Sequence, residues 1–167
     1  MPPEAPEFSR PLALGRVGPE GRAETLEAGP AERAALARRF GIPGIDSLRV
    51  RFDLQPEADG AIRATGELEA EVVQECVVSL EPVPQRVAER FVLRLLPAGR
   101  EPGDGPEDLD EIETEHDVAD LGEVAAEQLA LALDPYPRAP DAVLPAEAGS
   151  AEGAFAALAA LRRRPAP

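Results

Sequence analysis

The sequence predicts an α+β fold, in which an antiparallel, strongly bent sheet of about five strands is flanked by two or three helices. Residues 47–55 alternate apolar and polar side chains, which is typical of a half-buried antiparallel strand. Apolar residues at helical spacing precede and follow the strand-rich middle, over residues 30–39 and 120–133. Strands and helices do not alternate regularly, so the pattern disfavours a repeated β-α-β architecture.

The N-terminal third is expected to hold two strands and one helix. Residues 1–7 are expected to be disordered, and residues 8–17 form a first strand in which Pro11 indicates an edge position. A short strand is expected around Thr25. A helix follows over residues 30–39, because proline stands in its first turn and Gly41 is a stop signal.

The middle of the chain predicts a hairpin with a long second strand. Residues 57–60 form the turn that leads from the first strand into the second. From residue 62 the even positions are mostly apolar as far as Leu80, which predicts that Cys76 and Leu80 both face the core. Strands rarely exceed ten residues, so a bend is expected near Gly66 or Gln74. The two prolines at 82 and 84 are expected to end this strand, and residues 86–96 form the next one.

The C-terminal part is expected to combine an acidic loop, a helix and a tail. Residues 97–117 are interpreted as the loop, and the stretch from residue 101 to residue 137 carries thirteen acids and no arginine. Asp120 caps a helix that runs to about Leu133, and Glu123 has the spacing of a capping box. A single domain is expected over residues 8–138. Residues 139–167 then form a flexible tail with a short helix over 154–164.

Charge and cysteine content restrict the classes of partner. The 32 acids outnumber 17 basic residues, all of them arginine, and give a net charge of −15. Such a chain is repelled by phosphate backbones and attracts basic proteins. Cys76 is the only cysteine, which excludes an internal disulfide and fits a reducing cytoplasm. Neither a signal peptide nor an apolar run of about 20 residues is present, so we expect a soluble cytoplasmic protein without membrane partners.

Candidate catalytic residues are few, and a structural role is the simpler interpretation of each. Cys76 is predicted to be a buried packing residue, since a nucleophile needs a neighbouring base. Glu123 and Glu127 share a helix face but lack a catalytic constellation. Tyr136 is expected to pack rather than stack on a base. The arginines at 49 and 51 are interpreted as a solvated strand face, and the acidic loop as solvated or docking a basic partner.

Two sequence blocks resemble one known family. The first runs from Val72 to Val83 and the second from Asp120 to Leu131, followed by residues 134–138. In this order they resemble the YceD family, whose members are needed for accumulation of large-subunit ribosomal RNA. The resemblance covers roughly residues 8–140 and points to an alphaproteobacterial-type branch. The candidate signature or interaction residues are Gln74, Cys76, Leu80, Glu81, Pro82, Asp120, Leu121, Gly122, Glu127, Leu129, Leu131, Pro135, Tyr136 and Pro137.

The chain departs from the commoner family pattern at the cysteines. Many members carry a second cysteine near the first and another after the last proline pair, which suggests a metal or redox site. Here Ser79 and Arg138 occupy the corresponding region, and one thiol cannot supply the four ligands of a structural zinc site. We therefore predict that the chain uses no metal, no cofactor and no small-molecule substrate.

The resemblance implies a non-enzymatic ribosome-biogenesis factor that supports synthesis, processing or stability of 23S ribosomal RNA. We expect it to bind a basic ribosomal or rRNA-processing protein, so that RNA is reached only indirectly. The alternative is a direct RNA-binding module that uses sparse arginine patches. A third hypothesis is a hydrolase or nuclease in which carboxylates hold a divalent ion.

Overall fold

The computed structural model describes residues 6–103, 105 and 109–143. The described residues form seven strands, two α-helices and a 3-10 turn at Leu14–Arg16, which confirms the α+β class. The expected third helix at 154–164 lies outside the described residues, as do residues 1–5 of the N-terminus. The elements are β1 Pro11–Ala13, β2 Arg22–Glu27, α1 Pro30–Phe40, β3 Gly44–Pro56, β4 Ile62–Glu75, β5 Pro82–Leu96, β6 Asp110–Glu113, β7 Val118–Asp120 and α2 Leu121–Ala132.

The main sheet has five strands in the order β2-β3-β4-β5-β6. The first four pair antiparallel, whereas β6 pairs parallel with the end of β5, so the sheet is mixed rather than purely antiparallel. The expected strong bend was wrong. Strand β4 pairs with β5 in one uninterrupted register from Ile62 to Glu75, and the one register shift against β3 lies between Ile45 and Ser47.

Gly66 makes room for aromatic packing instead of marking a bend. It lies directly between Phe52 on β3 and Phe91 on β5. The two rings pack edge to face with their centroids 5.7 Å apart. A Cβ atom at Gly66 would stand 2.0 Å from Cζ of Phe91, so no larger residue fits beneath that ring. The glycine that interrupts the apolar pattern is therefore required by side-chain packing across three strands.

Several strand ends differ from the sequence prediction. The first strand is only β1, because the chain turns into the 3-10 segment at Leu14. Pro82 and Pro84 do not end a strand but lie within β5, where an edge strand tolerates proline. The predicted acidic loop contains β6, and β7 follows it as the partner of β1 in a separate two-stranded sheet. These short strands lack the apolar alternation from which a strand is predicted.

The core lies on one face of the main sheet. Alternate residues of β3 and β4 are buried, whereas their neighbours are mostly exposed. Both helices pack on this inner face, α1 against β3 and α2 against β4 and β5. Helix α1 begins with Pro30 and ends at Phe40, and it is capped by Gly41, whose φ of 66° is left-handed, as expected from the sequence. No helix within the described residues is both long and apolar enough to cross a membrane.

Candidate functional site

The two sequence blocks, about sixty residues apart, meet around Cys76. Strand β4 ends at Glu75, and the chain turns back toward β5 through residues 76–81. The Val77 N–H donates to the carbonyl of Pro137 at 2.9 Å, and Gln74 Nε2 donates to the carbonyl of Asp134 at 2.9 Å. The segment that follows α2 is thus held against the turn by both backbone and side-chain hydrogen bonds.

Cys76 is fully buried, and its sulfur accepts several hydrogen bonds. The backbone N–H groups of Val78 and Ser79 donate to Sγ at 3.4 Å, and that of Ala139 donates at 3.3 Å. A hydrogen bond from the Ser79 side chain, together with these N–H groups, lowers the pKa of the Cys76 thiol to about 7, against the opposing effect of burial. The thiolate is stabilised by these donors and held inside the fold, where a bulky substrate cannot reach it.

The side chains at this turn do not fit the zinc site suggested by cysteine-rich relatives. Cys76 contributes one thiol, while Ser79 has a hydroxyl and Ala139 contacts the sulfur through its backbone N–H. A structural zinc ion needs four ligands, each a cysteine thiolate or a histidine imidazole. In the described part of the chain, no group of three or more His, Cys, Asp or Glu side chains is placed to hold a metal ion. We therefore assign no chemical step to a metal here.

Two signature residues of the site are exposed rather than buried, one in the turn and one in the segment after α2. The prediction that Leu80 faces the core was wrong: its side chain is 68% exposed and its φ is 62°, because the strand parity stops at the turn. Tyr136 is 72% exposed, so the expected packing of its ring was also wrong, while the following Pro137 is buried. Glu81, Pro82 and Pro135 are exposed as well. Around a buried thiol, the turn thus presents apolar side chains to solvent.

Gln74 is the buried polar residue of the site. Its side chain is only 6% exposed, and its Nε2 is held by the carbonyl of Asp134. Its Oε1 is buried and accepts no hydrogen bond from the described residues. The hydrogen bond from Gln74 to Asp134 fixes the start of the segment after α2, which accounts for a buried amide at this position.

The second block anchors the N-terminal segment. Asp120 caps α2 through the N–H groups of Gly122 and Glu123, and also accepts from the Ser9 hydroxyl at 2.5 Å and the Arg10 N–H at 2.7 Å. The N–H of Leu121 donates to the carbonyl of Arg10. A Cβ atom at Gly122 would stand 2.3 Å from the carbonyl oxygen of Phe8. Asp120, Leu121 and Gly122 therefore have a structural role at this crossing.

The remaining signature residues lie on α2. Leu129 is completely buried, whereas Leu131 is 78% exposed and Glu127 is exposed. The Glu123 carboxylate does not accept a hydrogen bond from the Asp120 N–H, so the capping box is not formed. That carboxylate accepts two hydrogen bonds from Arg39 on α1, at 2.6 and 2.9 Å. The two glutamates predicted to share a face therefore do not act as a pair, since one of them links the helices.

A charged cluster around Arg94 was not predicted from the sequence. Its guanidinium bonds Glu57 at 2.7 Å, Asp59 at 2.5 Å and Glu111 of β6. These bonds join the β3–β4 turn to β6. Arg94 lowers the pKa of Glu57, whereas the pKa values of Asp59 and Glu111 are lowered first by the backbone N–H groups of Ala61 and Gly103 and then by Arg94. Glu57 and Asp59 belong to one turn, but both are distant in sequence from Arg94 and Glu111, so only the strand pairing reveals the cluster.

Comparison with known families decides the assignment. The family model described as "Large ribosomal RNA subunit accumulation protein YceD" matches residues 64–161, more than half of the chain. The chain belongs to the YceD family. The match begins in β4 and includes the Cys76 turn and α2, the two YceD blocks that the structure brings together. Searches of curated proteins and of solved structures found no significant match.

The YceD assignment gives the chain a role in accumulation of large-subunit ribosomal RNA. The family description refers to an RNA being accumulated and not to a catalysed reaction. In this YceD protein, the two signature blocks hold the main sheet, α2 and the segment after α2 together.

Proposed function

We propose that this YceD protein is a non-enzymatic, cytoplasmic ribosome-biogenesis factor that supports the synthesis, processing or stability of 23S ribosomal RNA. It does so by binding a basic ribosomal or rRNA-processing protein, and it reaches the RNA only through that partner. No cofactor is needed for this role. The observation that carries the proposal is the excess of acidic over basic residues, combined with the ion pairs that many of the arginines form within the fold.

Many arginines are already neutralised within the fold. On the outer face of the sheet, Arg49 pairs with Glu27, and Arg90 pairs with Glu67 at 2.9 Å. Arg51 lies opposite Glu67 in the strand register, so that face alternates in sign instead of forming a basic patch. This supports a solvated face and leaves little positive surface for phosphates. The arginines in ion pairs are Arg10, Arg22, Arg39, Arg49, Arg63, Arg90, Arg94 and Arg100.

The catalytic hypothesis has little support in the described residues. Cys76 is buried and its sulfur accepts hydrogen bonds from backbone N–H groups and not from an imidazole. His116 lies in the β6–β7 turn. Glu127 is exposed while Glu123 is bound to Arg39, so the carboxylates are not arranged to hold a divalent ion between them.

The test is purification of the tagged chain from its native cell at moderate salt, with and without nuclease treatment. We expect basic proteins of the large subunit or its processing machinery to remain bound after the RNA is digested. A direct RNA-binding module would instead retain ribosomal RNA, with an affinity that falls steeply as salt rises. Activity that requires Mg²⁺ and disappears in Glu127→Ala would overturn the non-enzymatic proposal.

A further inference from the structure

Strand β5 has a long open edge. It pairs with β4 along its whole length, but β6 covers its other side only from Leu93 to Leu96. Among the described residues, no other strand pairs with β5 between residues 82 and 92. An unpaired edge of this length is a template for strand addition, which most proteins block or cover.

The hydrogen-bond pattern shows which residues of β5 face that edge. The Cys76 N–H donates to the carbonyl of Glu81 at 2.8 Å, and these residues continue the β4–β5 register. In an antiparallel pair, hydrogen-bonded and non-hydrogen-bonded positions alternate. Odd-numbered residues of β5 therefore bond β4, and even-numbered ones direct their N–H and C=O groups outward. The outward set is Arg86, Ala88, Arg90 and Val92, with Pro82 and Pro84 before it.

The two prolines agree with this assignment. Both have even numbers, so the missing N–H of each would point toward the open edge and costs β5 no bond to β4. They prevent strand addition only at the beginning of β5. From Arg86 to Val92 the outward backbone groups are complete.

A groove runs beside this edge on the inner face. It has a volume of about 190 Å³ and lies between β5 and α2, lined by Glu89, Phe91, Gln128, Leu131 and Ala132, with Arg90 at its rim. A second groove of about 430 Å³ shares Glu89 and Ala132 with it and extends to Asp134. Leu131 is 78% exposed there, so one apolar side chain of α2 stands free beside the edge.

The free charges of the groove favour a basic occupant. Glu89 forms no ion pair with any described residue, and neither does Asp134. Arg86 also lines the second groove without an ion pair, but strand parity directs its side chain to the outer face, so the two carboxylates dominate the inner face. No basic residue stands in the last turn of α2, so the negative end of the helix dipole is not compensated at Ala132. Arg90, on the opposite face of β5, is paired with Glu67.

A second copy of the chain fits this edge poorly. Antiparallel pairing of two β5 strands centred on Ala88 would place Arg86 opposite Arg90 of the other copy. Pairing centred on Glu89 or on Arg90 would place that residue opposite itself. Pairing centred on Val87 would place Pro84, which has no N–H to donate, opposite Arg90 of the other copy. Like charges directly opposite each other destabilise a strand pair. The edge therefore suits a different chain of complementary charge.

We propose that an extended segment of a basic partner protein adds to the sheet as a strand along Arg86–Val92. Its groove-side residues place apolar side chains against Phe91 and Leu131 and basic side chains against Glu89 and Asp134. Main-chain hydrogen bonds supply affinity in this mode of recognition, and alternate side chains supply specificity. The inference rests on the proposed function for the class of partner and adds to it the surface and the conformation that are recognised.

The test uses the full chain and two capped octapeptides, Lys-Ser-Val-Ser-Lys-Ser-Val-Ser (the Lys/Val peptide) and Glu-Ser-Val-Ser-Glu-Ser-Val-Ser (the Glu/Val peptide), each of which places its charged and apolar side chains on the same face of a strand. In the free chain, we expect fast amide hydrogen exchange at Arg86, Ala88, Arg90 and Val92, and slow exchange at the odd-numbered residues between them. The Lys/Val peptide should slow exchange at the even-numbered set, and the Glu/Val peptide should not. Slow exchange at the even-numbered amides of the free chain would mean that the edge is already covered, and would overturn the proposal.

Two matched pairs of variants locate the binding. Ala88→Pro removes one outward N–H, and Ala88→Thr keeps it at the same exposed position. We expect the proline variant to weaken Lys/Val binding at least about tenfold, or ~1.4 kcal/mol, and the threonine variant to change it less than about twofold. Leu131→Lys should weaken binding more than Ala130→Lys, which adds the same charge at an exposed position outside the groove. Leu131 is exposed, so this pair remains informative if Ala88→Pro does not fold.

The outcomes separate this inference from the proposed function. Equal affinity of the paired variants, or no binding of the Lys/Val peptide by the wild-type chain, would remove the edge site. If the intact chain still retained a basic ribosomal protein after nuclease treatment, the proposed function would stand without it. The peptide and its variants could also behave as expected while no basic protein is recovered from the cell. That result would support the edge site and reject the proposed function.

Discussion

The substitution Gly66→Ala tests the packing across the central three strands. An alanine Cβ at this position would lie 2.0–2.5 Å from three ring carbons of Phe91, far inside van der Waals contact. The ring would have to move by about 1.5 Å to restore a carbon–carbon separation near 3.5 Å. That movement disrupts its edge-to-face contact with Phe52, and overpacking of this kind costs about 1–3 kcal/mol.

A smaller effect of the opposite sign reduces this cost. Replacing glycine by alanine stabilises a fold by about 0.4–1 kcal/mol where the backbone and the space allow it, because the unfolded chain loses conformational freedom. The expected net destabilisation by Gly66→Ala is therefore about 1–2 kcal/mol. For a chain of this length, that corresponds to a fall in Tm of roughly 2–8 °C.

The assay is urea unfolding followed by circular dichroism, with Gly44→Ala as the matched control. Gly44 begins β3, its φ is not positive, and an added Cβ would meet nothing within 4 Å. We expect the control to be neutral or slightly stabilising, and Phe91→Leu to relieve part of the cost in a double-mutant cycle. A Gly66→Ala protein as stable as the Gly44→Ala protein would refute the packing argument, as would a cycle without coupling.

Three further predictions concern contacts between elements of the fold. Gly122→Ala should cost about 1–3 kcal/mol by displacing Phe8 and should expose the bond between Glu7 and Phe8 to a glutamate-specific protease, whereas Gly18→Ala, which meets nothing within 4 Å, should not. The folded pKa of Cys76 lies below its ordinary value of 9.0, so its thiolate stabilises the fold above that value, and this contribution is lost as pH falls through about 7. The Tm difference between wild type and Cys76→Ala should therefore widen from pH 6 to pH 9; a constant difference would contradict this. Arg94→Gln should accelerate amide exchange in β6 more than in β2, because it leaves Glu111 without its cation; equal acceleration in both strands would count against the cluster as the anchor of β6.

Sequence patterns correctly predicted the elements in which apolar residues recur at a regular spacing. The alternation in β3 and the proline and glycine at the ends of α1 gave the correct type and approximate place of each element. Parity also placed Cys76 inside, although the strand ends one residue before it. The same parity failed four residues later at Leu80, because a turn with a left-handed residue resets the direction of the side chains.

The remaining features depend on long-range contacts. Strand β6 is Asp-Glu-Ile-Glu, a composition that indicates a loop, and it becomes a strand because β5 offers an edge and Arg94 neutralises Glu111. The contact between Asp134 and Gln74 likewise joins residues sixty positions apart. No local propensity encodes which distant partner a residue meets, so the composition of the candidate site could be predicted but not its geometry.

The order of the strands has a consequence for how the chain folds. From β2 to β6 each strand neighbours the one before it in sequence, so the main sheet can assemble by successive extension from the β3–β4 hairpin. The β1–β7 pair is different, since the bond between Ser9 and Asp120 spans 111 residues. Closing that loop carries a large entropic cost until α2 is in place. The N-terminal segment should therefore dock last in refolding and detach first, as a separate cooperative unit, in native-state exchange.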